Sequence, residues 1–191
     1  MSVYTASANR LREPATKTET LIKPDYISAL LQLHKRLAKK RTDWMVGGEL
    51  SEALRAVNVK PKCVEIVTTK RGAVEIFLAV KDCNPTGVFF QTQRLSRNAK
   101  IGGKEYPAYI RSHYFEFNLA NVPVKVHGDL QYKISNGEWG AKMDFTPEHI
   151  YLVGVKTAIM PMHVLYTLYQ GLGWSDRAKK ISPLLLKRPH N

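Results

Sequence analysis

The stretch "WMVGGELSEALRAV", Trp44–Val57, constrains this chain more than any other. Three apolar residues lead into two glycines, and a helical pattern follows with Leu50, Ala53 and Leu54 on one side. That order predicts a short buried strand over Trp44–Val46, a turn at Gly47-Gly48 and a helix over Glu49–Ala56. Glycines at such a join permit backbone angles that a β-carbon forbids. They also let a phosphate approach the amides at a helix start. A tight turn needs the same residues, so the doublet alone leaves both readings open.

The next run narrows the choice. "KCVEIVTT", Lys62–Thr69, alternates and is rich in β-branched residues, which predicts a strand. Alternation sends Val64 and Ile66 to one face, and Cys63 and Glu65 to the other. Glu65 would then face the side on which the glycine turn opens. An acid beside a phosphate seat makes chemical sense when a divalent cation bridges the two.

Around this centre the pattern alternates irregularly between helix and strand. A helix is predicted from Asp25 through Arg41, and another over "GAVEIFLAVKD", Gly72–Asp82. "VFFQTQRL" is strand-like, and Asn98–Pro107 is expected to be a loop. "YIRSHYFEFNL" and "VPVKVHGDL" predict a hairpin turning at Ala120-Asn121. "QYKIS" and "AKMDF" predict a second, turning at Asn136-Gly137. Helices close the chain over Met162–Gly171 and from Ser175 to near Pro183. The class is α+β. Tyr109, Tyr114, Phe115 and Phe117 are candidates for stacking on bases, although alternation assigns Phe115 and Phe117 to the core.

Charge adds functional content. The net charge is +13, and it is concentrated at the ends. Residues 1–42 hold nine Lys/Arg against three Asp/Glu, and residues 177–191 hold five against none. The basic candidates are Lys35, Arg36, Lys39, Lys40, Arg41, Arg177, Lys179 and Lys180. If the ends meet they make one surface for phosphates or an acidic partner. The six histidines and two cysteines lack metal-ligand spacing, and no serine-nucleophile signature is present. With no apolar run near ~20 residues and no secretory leader pattern, a cytoplasmic protein without a membrane span is expected.

The strand, Gly47-Gly48, the helix and "CVEI" together resemble the nucleotidyltransferase fold shared with DNA polymerase beta, in its minimal prokaryotic form. "VPVKVHGDL" resembles the segment that supplies a third acid there, and "VLYTLYQGLGWSDRAKKI" the family's closing helices. The resemblance covers about Trp44–Ile181. It implies a mixed or antiparallel sheet with flanking helices, in one domain over 23–185. An N-terminal arm over 1–22 and a basic tail over 186–191 would flank it. It also implies carboxylates at three positions. Cys63 stands at the first, Glu65 at the second and Lys125 at the third, with Asp129 and Glu116 the nearest other acids. A thiol and an ammonium do not replace hard oxygen ligands.

Three functions follow. The first is a degenerate member that binds a nucleotide or nucleic-acid phosphate through Gly47, Gly48 and Lys125, the lysine standing where a cation would be. The second is an active transferase using Mg2+ on Glu65, with Asp129 completing the catalytic pair. The third is a basic, antitoxin-like interaction module for an acidic protein. A homodimer is in keeping with small members of the family.

Overall fold

The computed structural model describes residues 22–40, 42–143 and 146–185. The expected arm up to residue 21, Arg41 and the tail over 186–191 therefore lie outside the described residues. The helix α1 (Pro24–Leu37) begins with proline in its first turn, carries Asp25 there and collects His34, Lys35 and Arg36 in its last turn. Those charges complement the helix dipole. The helix stops at Leu37, four residues short of the expected end. A tight turn in which the Lys40 amide donates to the Leu37 carbonyl at 2.8 Å takes over there.

β1 (Trp44–Gly47) is buried along its whole length, and α2 (Gly48–Ala53) follows without a gap. β2 (Val64–Thr68) leads into α3 (Lys70–Ala79), which is capped where the Gly72 amide donates to the Thr69 hydroxyl at 3.0 Å. β3 (Phe89–Arg94) is followed by β4 (Ala99–Ile101) and β5 (Lys104–Tyr106), a hairpin where a loop was expected. Gly102 and Gly103 both take positive φ at its tip, as a two-residue hairpin turn requires.

β6 (Ala108–Leu119) and β7 (Val122–Ile134) form the long hairpin, turning at Ala120-Asn121 as predicted. The expected second hairpin is absent. "QYKIS" simply extends β7, because the strand passes through an irregularity at Gly128-Asp129, with Asp129 at φ 54°. "AKMDF" forms no strand over its described residues. It returns beside β7, where the Met143 amide donates to the Leu130 carbonyl and Lys142 pairs with Asp129, next to a bond from the Gly140 amide to the Tyr132 carbonyl. β8 (Glu148–Leu152) and β9 (Val155–Ile159) pair antiparallel, and α4 (Met162–Gly171) and α5 (Ser175–Leu185) close the fold. Pro183 lies inside α5 rather than ending it.

Seven strands form one mixed sheet in the order β3-β6-β7-β2-β1-β9-β8. β1 runs antiparallel to β2, while β2–β7 and β1–β9 are parallel. Val46, Ile66, Val124, Val126 and Phe115 point to one face and pack with Leu30 and Leu33 of α1 and Ile76 of α3. Met45, Val67, Leu130 and Met160 point to the other and pack with Leu165 of α4 and Ile181 of α5. Each β1 and β2 side chain therefore has a defined side, and Glu65 shares the α4–α5 side with Met45 and Val67.

Phe115 is fully buried, edge-on to Phe77 at 5.5 Å and stacked on Phe117 at 5.9 Å. Phe115→Ala should lower the unfolding free energy by about 3–5 kcal/mol, through lost burial and the cavity left behind. Urea denaturation of the variant checks this, and a loss under about 1 kcal/mol would contradict the packing described.

Candidate active site

The sheet register brings the sequence-predicted centre into one row. Gly47 pairs with Glu65, Glu65 with Lys125, and Lys125 with Glu116 across four adjacent strands. Directly paired residues share a face, so Glu65 and Lys125 project together toward α4 and α5. Between them and those helices is a cavity of about 280 Å³. Gly48, Glu65 and Lys125 line its floor, and Tyr169, Trp174 and Arg177 line its roof.

Gly48 is required twice over. Its φ is +54°, and a β-carbon there would overlap the Glu65 carboxylate. The glycine turn and the acid are thus in direct contact, on the side of the sheet to which alternation assigns Glu65. The expectation of a dipole-assisted phosphate seat is weaker, since α2 has only six residues. Burial pushes the Glu65 carboxyl above its ordinary range, Lys125 pulls it partly back, and Glu49 adds to the rise. Burial, then Glu65, raises the Cys63 thiol to about 12. His127, one β7 alternation beyond Lys125, is buried against the Ser112 hydroxyl at 3.1 Å. Burial, then Lys125, lowers its pKa to about 4, so the imidazole is neutral at pH 7.

Asp129 does not line this cavity. It lies beyond the irregularity in β7, where it accepts from the Lys70 amide at 3.0 Å and from Lys142 at 2.7 Å. There it caps the start of α3, and these two donors outweigh burial to hold its pKa low. Glu116 is exposed on the far side of Lys125 and accepts a hydrogen bond from Tyr114 at 2.6 Å. Among the described residues no group of three or more His, Cys, Asp or Glu is arranged to hold a metal ion.

Arg177, expected on a basic surface, instead reaches back into the cavity roof. It meets Glu52 at 2.7 Å and Glu49 at 3.6 Å and lies 4.7 Å from the Tyr169 ring. The Tyr169 hydroxyl also donates to Glu52, whose second carboxylate oxygen is buried without a partner. Burial raises the Glu52 pKa against the pull of Arg177 and Tyr169. These four residues tie α2 to α4 and α5. Sequence reasoning missed Glu49, Glu52 and Tyr169, because nothing local marks a contact spanning more than a hundred positions.

The other basic candidates do not merge. Lys35, Lys39 and Lys40 are exposed at the end of α1, and Lys179 and Lys180 on α5, on opposite faces of the sheet. Arg36 is held by both Asp82 oxygens, at 2.6 and 2.8 Å. No helix of the described residues is long and apolar enough to cross a membrane.

The fold has a counterpart among solved structures. The crystal structure of a "putative nucleotidyltransferase (TM1012)" from Thermotoga maritima superposes with a TM-score of 0.59. Identity is 25%, and the match covers 87% of this chain and 96% of that one. The chain has the nucleotidyltransferase fold. Two structures of ANT(2")-Ia, one in complex with adenylyl-2"-tobramycin, match at TM-scores of 0.46 and 0.44, with 4% and 7% identity. They cover 84% and 88% of this chain, and 89% and 79% of their own. No protein-family model and no curated protein matches the sequence.

Two outcomes test the geometry. Gly48→Ala should cost about 1–3 kcal/mol. Adding Glu65→Ala should recover the steric part, with a coupling above about 0.5 kcal/mol in a urea double-mutant cycle. Independent, additive losses would mean that the two groups do not touch. In a Cys83→Ser background, Cys63 should react with iodoacetamide at pH 8.5 far more slowly than a free thiol, because a pKa raised to about 12 leaves almost no thiolate. Reaction at the rate of a model thiol would contradict the enclosure described.

Proposed function

We propose that this chain is a nucleotidyltransferase-fold protein that binds a nucleotide in the cavity without metal-dependent transfer. The observation that carries the reading is the row Gly47–Glu65–Lys125. The fold uses neighbouring carboxylates to hold cations against a triphosphate. Here the Glu65 carboxylate has a glycine on one side and an ammonium on the other, and the thiol two residues before it is a soft ligand. That donor set does not fit a two-metal centre.

The same residues favour an anion. Lys62, Lys125 and Arg177 line the cavity against Glu49 and Glu65, so its lining carries more positive than negative charge. Tyr169 and Trp174 offer apolar ring surface in the roof for a base. Lys125 would neutralise a phosphate that a magnesium ion would otherwise hold. Asp129, the acid an active transferase would have to recruit, is engaged at the start of α3 instead. The separation of the two basic helix ends speaks against the acidic-partner reading.

Isothermal titration of the full chain with ATP, GTP, CTP and UTP, each with magnesium and with EDTA, tests this. Binding of at least one nucleotide that is insensitive to EDTA, with no pyrophosphate released, is expected. Lys125→Met should weaken it about 10- to 100-fold, the value of a charge-assisted phosphate contact. Magnesium-dependent pyrophosphate release would overturn the reading, as would binding that Lys125→Met leaves intact.

A further inference from the structure

The irregularity in β7 changes which residues the strand presents to each face. Before it, Lys125 and His127 face the cavity side. After it, Leu130 and Tyr132 take that side, and Gln131 and Lys133 turn to the reverse face. Tyr109 pairs with Lys133 and with Arg94, and Arg111 with Gln131 and with Thr92. His113 pairs with Phe90. These positions make a patch on β3, β6 and the outer half of β7, on the side away from the cavity.

Its chemistry is an alternation of rings and cations. The Arg111 guanidinium lies 4.5 Å from the Trp139 ring centre and 5.9 Å from that of Phe90. The Lys133 ammonium lies 5.0 Å from Trp139 and 5.6 Å from Tyr109. Phe90 stands 5.0 Å from the His113 ring and is 56% exposed. A phenylalanine this bare on an edge strand, beside unneutralised cations, is unusual for a surface with no ligand. Among the described residues no ion pair neutralises Arg94, Arg111 or Lys133. Asp129 at the irregularity is already engaged by Lys142 and the Lys70 amide.

We propose that this face, built from Phe90, Tyr109, Arg111, Lys133 and Trp139, is a binding platform for single-stranded nucleic acid. Unpaired bases present π faces to the rings and to the guanidinium plane, and their phosphates match the unneutralised cations. A duplex hides its base faces and would meet only the cations. An acidic peptide would likewise gain charge pairing without stacking. The platform is distinct from the cavity and depends on no property of it.

The test is fluorescence anisotropy of the full chain with labelled oligothymidylate and oligouridylate, long enough to cover a site of ~4–16 nucleotides. Affinity should fall steeply with salt, and Arg111→Gln and Lys133→Gln should each reduce the slope of log affinity against log salt by about one. Phe90→Ala, on an exposed edge and therefore safe for folding, should weaken binding about 5- to 100-fold. Binding should quench tryptophan emission, and the quench should shrink in Trp139→Phe. Lys35→Gln/Lys39→Gln, at the end of α1 and outside the platform, should change neither. The proposal is overturned if Phe90→Ala binds as the parent does, or if a duplex of the same sequence or polyglutamate binds equally well. It is also overturned if the Lys35/Lys39 variant loses as much affinity as the platform variants.

Discussion

The contact between the Glu65 carboxylate and the α-carbon of Gly48 organises the rest of the molecule. It forces the chain through a left-handed turn at the moment β1 becomes α2, and it places the acid of β2 directly under that turn. With β1 and β2 locked in this register, the parallel pairing of β2 with β7 leaves Lys125 no position except beside Glu65. Slipping either pairing by one residue would swap Glu65 or Lys125 with the valines and isoleucine that face α1 and α3. The hydrophobic core thus constrains the geometry of the polar row, because a one-residue slip would turn Ile66, or Val124 and Val126, out of it.

The centre of the fold was legible because both of its signals are local. Two glycines after an apolar triplet, and an alternating strand with one acid, need no distant information to interpret. The resemblance then placed Lys125 at the position of a third acid, and the strand register sets it beside Glu65. The long hairpin was equally readable, since Ala120-Asn121 interrupts two alternating runs.

What escaped was of two kinds. β7 was divided in two because the alternation changes phase at Gly128-Asp129; in the folded chain Asp129 takes the left-handed angle while the strand continues, and its carboxylate accepts from the Lys70 amide of α3 and from Lys142. The hairpin over "IGGKEY" was passed over because three-residue strands are too short to show alternation. Arg177 was grouped with surface cations because composition counts charge and not direction. Its partners Glu49 and Glu52 lie far back in the sequence, and only packing α5 across α2 brings them together.

The cavity is assembled from two widely separated stretches. Its floor is complete once Lys125 has been made, whereas Tyr169, Trp174 and Arg177 come from the final helical hairpin. That hairpin is anchored where the Trp174 indole donates to the Asn98 carbonyl at 2.8 Å, and where Gly173 lies so close to the Lys100 carbonyl that any side chain would collide. During synthesis on a ribosome, then, the sheet can form while its polar row still opens onto solvent. The pocket exists only after the last helix has cleared the exit tunnel, so a prematurely terminated chain would retain the floor and lack the enclosure that makes it a site.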